Sequence, residues 1–435
     1  MKKNFVFAAF LLSLSGALFA QKQNAQMRRT ETKEVKDFMD LRFGMFVHWG
    51  PVTLRGTEIG WSRNHQVPQN DYDSLYKEFD PVLFNADDWV KTAKEAGVKY
   101  LVITAKHHDG FCLWPTAFTD YNIAHTPFKK DVVGALAKAC KQHGIKFCIY
   151  YTVLDWYDKN YPLHNDGKGE DKNADMGKFI LYMKNQLKEL VTNYDPYMIW
   201  FDGNWEKPWT QADGKEIYDY LKRLNPRLII NNRLGKNEHD KLTAESVGDY
   251  ATPEQKIGAL NMDFPWESCI TICKQWAWKP NDAMKPLKEC IQTLACTAGG
   301  NGNLLLNVGP MPDGRMELRQ VKRLQEMGGW LQHYGESVYG TLGGPYVPDS
   351  VMAATRKQNR IFIHLFKNFS GQLNLAAVPN VQVVKAYWLK GIAVKFKQGE
   401  KGITLELPQI LPDENDAVLV LEMNKNVEQA NIIEK

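Results

Sequence analysis

Tyr197-Met-Ile-Trp-Phe-Asp202-Gly203 is an apolar run that stops on a carboxylate followed by glycine. An unbroken run of aromatic and β-branched residues suits a strand covered on both faces, and Gly203 lets the chain turn sharply where a ligand can approach. The stretch is read as a buried strand that delivers Asp202 to a rim. The plainer alternative is a turn or helix-capping aspartate, which strand ends often use. An acid in apolar surroundings is costly to bury without partners, however, and that makes the position a functional candidate.

On both sides of this stretch, short apolar runs alternate with amphipathic segments. Strands are expected at 44–48, 100–104, 146–151, 197–201, 228–231 and 304–307, with weaker ones near Val247 and Trp266. Helices are expected at 86–96, between an Asn85 cap and a Gly97 stop, at 131–143, closed by Gly144, and at 176–194, 215–224, 285–298 and 317–333. Such alternation gives parallel βαβ units, and about eight repeats favour a (β/α)8-like barrel over an open doubly wound sheet. This catalytic domain is expected to span 33–340. Beyond it, alternating runs at 360–366, 381–389, 403–407 and 417–422 imply a C-terminal antiparallel β-sandwich domain over 345–435.

The chain has 435 residues, 44% hydrophobic and 24% charged, ordinary for a globular protein, while its 13 Trp and 18 Tyr are many and suit sugar rings as well as a large core. Lys2 and Lys3 precede an apolar run from Phe5 to Ala20, the order of a secretory signal, so residues 1–20 are expected to be a leader and the protein periplasmic or secreted. No other run is long enough to span a membrane. Removing those two lysines takes the net charge from +4 to +2, and with no basic patch or nucleic-acid motif, nucleic acid is not an expected partner. Seven cysteines is an odd number without zinc or disulfide spacing; most sit in apolar contexts and read as small buried hydrophobes.

The reactive residue types share one end of the expected strands. His48, His107, His108, Tyr151, Asp202, Arg233 and Glu267 all fall at or just past C-terminal ends, where barrel enzymes build their sites. Asp202 and Glu267 form a candidate carboxylate pair for glycoside hydrolysis, one attacking the anomeric carbon and the other moving the proton; in retaining enzymes such a pair lies about 5 Å apart. Trp266 next to Glu267 could desolvate it, as an acid requires. Glu58, in the long connection after the first strand, is the other candidate for that proton. Lys106-His107-His108-Asp109 offers two imidazoles to substrate hydroxyls, provided the strand has ended there, because neighbouring strand residues point opposite ways. Metal-dependent barrels more often use a His-x-His pair, which is absent, so no metal and no cofactor are expected.

His48-Trp49-Gly50, the run Lys106 to Phe111, Tyr150-Tyr-Thr-Val-Leu-Asp-Trp156, Trp200-Phe-Asp-Gly203, Asn231-Asn-Arg233 and Trp266-Glu-Ser-Cys269 with Gln275-Trp-Ala-Trp278, in this order, closely resemble glycoside hydrolase family 29, the α-L-fucosidases. The resemblance covers about 42–312, and its later motif looks more like the broad-specificity subgroup. It implies an exo-acting retaining enzyme that hydrolyses terminal α-L-fucosyl linkages of oligosaccharides or glycoconjugates. Asp202 then matches the nucleophile, Glu267 the acid/base, and His48, Trp61, His107, His108, Tyr151, Trp200 and Arg233 the sugar-binding positions. One departure is Gly60-Trp61, where the family often shows Glu-Trp. A non-catalytic sugar-binding barrel and a metal-dependent barrel hydrolase remain as alternative readings.

Overall fold

The apolar runs become seven parallel strands: β1 (Phe43–Val47), β2 (Tyr100–Lys106), β3 (Lys146–Thr152), β4 (Met198–Asp202), β5 (Ile229–Ile230), β6 (Glu267–Thr271) and β7 (Asn303–Val308). They are ordered β5-β4-β3-β2-β1-β7-β6 in this computed structural model, which describes residues 31–236, 238–369, 371–400 and 402–434. The expected leader lies outside them. Between β5 and β6 the circuit is closed by single bridges, Asn231 to Tyr250 and Ala251 to Trp266, with a further one from Glu254 to Cys269. The strand expected near Val247 is therefore reduced to the isolated bridges at Tyr250 and Ala251. Gly248, at φ 140°, lies so close to β5 that a Cβ there would sit 2.4 Å from the Asn231 carbonyl oxygen, and Pro253 has no N–H for a ladder. The result is a (β/α)8-like barrel with one irregular stave.

Among the described residues, seven helices of nine residues or more pack around it: α1 (Lys33–Leu41), α2 (Ala86–Glu95), α3 (Val132–His143), α4 (Met176–Tyr194), α5 (Gln211–Leu224), α6 (Leu287–Gly299) and α7 (Leu318–Tyr334). Side-chain caps start several of them; Asn85, Asp131 and Asp175 each accept a backbone N–H, and Thr210 with Asp213 forms a capping box. Alternation along the strands separates two cores. Phe46, Tyr100, Cys148, Tyr150, Met198, Trp200 and Leu305 fill the barrel interior. Ile103, Ile149, Tyr151, Ile199 and Phe201 face outward, in the cluster that holds Leu136, Leu187 and Leu221 of the helices.

The C-terminal region is a two-sheet sandwich, as expected. Its strands are β8 (Leu342–Gly343), β9 (Met352–Lys357), β10 (Arg360–Leu365), β11 (Gln372–Leu375), β12 (Val383–Trp388), β13 (Phe396–Gly399), β14 (Gly402–Glu406) and β15 (Ala417–Met423). One sheet runs β12-β15-β10-β9-β8 and the other β11-β14-β13. Ile361, Ile363, Leu373, Leu375, Ile403 and Leu405 meet between them. Phe362, Val418 and Val420, on the opposite face of the larger sheet, join the cluster that contains Leu324, Met327 and Trp330 of α7. This contact ties the sandwich to the barrel. All seven cysteines are free, and only Cys296 is less than fully buried.

Candidate active site

Asp202 ends β4, and its carboxylate is held from three sides. Oδ1 accepts from Nη1 of Arg233 at 2.9 Å, Oδ2 accepts from the Tyr150 hydroxyl at 3.2 Å, and Nε2 of His108 is 3.6 Å from Oδ2. Burial, the largest influence, opposes ionisation, but the charge and hydrogen bond of Arg233 together with the nearby His108 and His239 outweigh it and hold the carboxyl below its usual range. An ionised, partly exposed carboxylate at a strand end is a competent nucleophile.

Arg233 reaches it from the turn after β5. Nε and Nη2 donate to the Thr252 hydroxyl and carbonyl at 3.0 Å each, and the guanidinium carbon lies 4.7 Å from the Trp200 ring centre. Nη1 is shared, because it also contacts Oε2 of Glu254 at 2.8 Å. Two contacts of 2.9 and 2.8 Å to one nitrogen bound the separation of the carboxylate oxygens at about 5.7 Å. That upper limit admits the spacing of a retaining carboxylate pair, about 5–5.5 Å. The Glu254 side chain is 39% exposed, so it can meet a leaving group and then water.

Three imidazoles gather beside this pair. His48 follows β1, and His107 and His108 follow β2, whose pairing with β3 shifts register between Thr104 and Lys106. The strand has ended, so both histidines turn to the same side. Their ring centres are 4.2 Å apart, His107 stacks on Tyr150 at 5.2 Å, and His48 is 5.6 Å from His107. Burial drives His48 down to about 3 and His108 to about 4, and drives His107 well below its ordinary value. All three are neutral near pH 7 and can bond hydroxyls. Nδ1 of His107 is buried without a hydrogen-bond partner. Trp61, 44% exposed, packs edge-on against His108 and lies alongside the equally exposed Trp205 at 5.9 Å.

Two sequence expectations change. Tyr151 does not face Asp202: in the β3–β4 register Tyr150 pairs with Trp200 and Tyr151 with Phe201. Tyr151 therefore points to the helices, where its hydroxyl donates to Gln186 at 2.7 Å and Nζ of Lys106 lies over its ring. Tyr150 takes the place assigned to it. Glu267 begins β6 rather than ending a strand, so it lies toward the opposite end of the barrel from Asp202. It is fully buried, and its carboxyl accepts from Tyr100 at 2.5 Å, Trp200 at 2.9 Å and Tyr250 at 3.5 Å. Trp200, 2% exposed, keeps its place near Asp202 but spends its N–H on Glu267. Glu254 and Tyr150 were missed. Tyr150 is placed only by the β3–β4 register, which pairs it with Trp200, and nothing local marks Glu254. Among the described residues, no three His, Cys, Asp or Glu side chains converge as a metal site.

The profile of the family described as alpha-L-fucosidase matches residues 12–336. The tissue alpha-L-fucosidase of Rattus norvegicus is 30% identical over 410 residues, 86% of this chain and 86% of that protein. Among solved structures, alpha-L-fucosidase isoenzyme 1 from Paenibacillus thiaminolyticus superposes with TM-score 0.82 at 31% identity, over 90% of this chain and 99% of that one. A Bacteroides thetaiotaomicron alpha-L-fucosidase, trapped as a covalent intermediate with 2-fluoro-fucosyl fluoride, gives 0.82 at 28% identity, over 91% and 97%. The chain is a glycoside hydrolase and belongs to the α-L-fucosidase family, glycoside hydrolase family 29.

Proposed function

We propose that this protein is an exo-acting, retaining α-L-fucosidase that removes terminal fucosyl groups from oligosaccharides or glycoconjugates, with Asp202 as nucleophile and Glu254, rather than Glu267, as acid/base. The observation that carries the assignment is the single Arg233 nitrogen contacting both Asp202 and Glu254. In the first step the Asp202 carboxylate attacks the anomeric carbon while Glu254 gives its proton to the leaving oxygen. In the second, Glu254 takes a proton from water, which displaces the fucosyl group from Asp202. The covalent intermediate trapped in the Bacteroides relative supports such a double displacement.

His48, His107, His108 and Arg233 are the proposed hydroxyl ligands of the sugar. Trp61 supplies an apolar wall, Tyr150 steadies Asp202, and Trp200 forms the floor. Lys2, Lys3 and the apolar run behind them support export to the periplasm or beyond.

The test is a panel of nitrophenyl glycosides that differ only in sugar. Release from the α-L-fucoside and not from the galactoside, mannoside or glucoside is the expected result. Fucose binding without any release would instead favour the sugar-binding barrel.

A further inference from the structure

Glu58 has no place in the carboxylate pair, yet both of its oxygens are used. It lies in the connection after β1, three residues before Trp61, and its side chain crosses to the segment between β6 and α6. Oε2 accepts the Trp276 N–H and Oε1 the Ala277 N–H, each at 2.9 Å; Oε1 also accepts the N–H of Ile59 at 3.1 Å. A carboxylate that accepts several backbone donors is a strong tether, because each bond is charge-assisted.

The tethered segment continues to the site. The Trp276 ring lies 4.8 Å from the His48 ring, and the Trp276 carbonyl accepts from Nδ2 of Asn307 at 2.8 Å. A carbonyl can only accept, so Asn307 must turn its amide nitrogen toward Trp276 and its oxygen toward His48. That oxygen is 2.6 Å from Nδ1 of His48. Nδ1 therefore carries the hydrogen, and Nε2 of this neutral imidazole is left with a lone pair.

We infer that Glu58 is a positioning residue which, through the Trp276 backbone and Asn307, fixes the orientation and tautomer of His48 so that Nε2 accepts a hydrogen bond from a substrate hydroxyl. The inference rests on the fucosidase reading of the site. It differs from the acid/base role that the sequence left open for Glu58, since every bond made by its carboxylate goes to backbone N–H groups.

A double-mutant cycle between Glu58→Gln and His48→Ala tests it. The glutamine is nearly isosteric but sets an NH2 group against one of the backbone donors, which frees the segment. Turnover of a nitrophenyl α-L-fucoside should fall about 10- to 100-fold in kcat/KM with His48 present, the scale of a small misplacement. In the His48→Ala background the same change should cost less than about threefold, since coupled residues are non-additive. Equal losses in both backgrounds would overturn the inference. So would a Glu58→Gln loss that grows with leaving-group basicity, the mark of a proton donor. If Glu58→Gln does not accumulate as folded protein, Glu58→Asp, one methylene short of the segment, enters the same cycle with the same criteria. Read instead as affinity for fucose by calorimetry, the cycle reports on Glu58 even if the protein releases no sugar, so its failure is distinct from failure of the fucosidase reading.

Discussion

The indole Nε1 of Trp200 donates to Oε1 of Glu267 at 2.9 Å inside the barrel. One strand residue separates Trp200 from Asp202, so the acid that the sequence placed at the rim lies beneath the floor of the site. Burial pushes its carboxyl up from 4.5 to about 7, although Tyr100, Trp200 and Tyr250 pull the other way. Between those values the folded protein holds a proton that the unfolded chain has released. Its contribution is fully present below about 4.5 and is lost as pH rises through about 7. Glu267→Gln cannot ionise, so its Tm relative to the parent should climb across that window and level off above it. Melting curves from pH 4 to 8 check this; a flat difference would show that Glu267 does not titrate there.

Asp202→Ala should lower turnover of an aryl α-L-fucoside by at least about a thousandfold, because nothing then attacks the anomeric carbon. The cavity it leaves admits azide, which should restore part of the rate and give the β-fucosyl azide. Product configuration by proton NMR is the readout. Near-normal turnover in a folded Asp202→Ala protein would falsify the assignment.

The reach of the sequence ended where pairing became irregular. Runs such as Tyr197 to Phe201 announce themselves because both faces of the strand are covered, and the residues that follow such runs, His48, Asp202 and Arg233, could be placed at the rim. The segment at Tyr250 and Ala251 makes only single bridges and has no apolar run, so Glu254 after it carried no signal. Glu267 was misplaced because Trp266 lies just ahead of a strand, and an apolar residue beside an acid does not say which end of the strand it marks. Tyr151 stands at the end of the strand expected at 146–151, but strand parity identifies two faces and not which is inward; the β3–β4 register turns Tyr150 inward instead.

That register separates the two tyrosines in function. Tyr150→Phe removes a donor to Asp202 and should lower kcat/KM about tenfold with little loss of Tm. Tyr151→Phe leaves Gln186 without its 2.7 Å partner on the helix side. It should cost about 1–2 kcal/mol of stability and leave kcat/KM unchanged. Steady-state kinetics and thermal melts on the two variants check both; the reverse pattern would put Tyr151 in the site.

The sharpest division is between Glu254 and Glu267. Loss of a general acid costs about 10²- to 10⁴-fold, and most where the leaving group needs protonation. Glu254→Ala should therefore cripple hydrolysis of a fucosyl disaccharide while sparing 2,4-dinitrophenyl α-L-fucoside. The fucosyl group on Asp202 would then await a nucleophile that needs no base, and azide should capture it as the α-fucosyl azide, opposite in configuration to the Asp202→Ala product. Glu267→Ala leaves the buried Tyr100 hydroxyl and Trp200 indole N–H without an acceptor, while the Tyr250 hydroxyl keeps its contact to the Met198 sulfur. It should lose roughly 3 kcal/mol or more of stability, with equal effects on both leaving groups and no azide adduct. Rates with the two substrates, azide product analysis and thermal melts of the two alanine variants make the comparison. If Glu267→Ala showed the leaving-group dependence and the α-azide while Glu254→Ala did not, the proton would have to reach the glycosidic oxygen from beneath Trp200, and the assignment of Glu254 would fall.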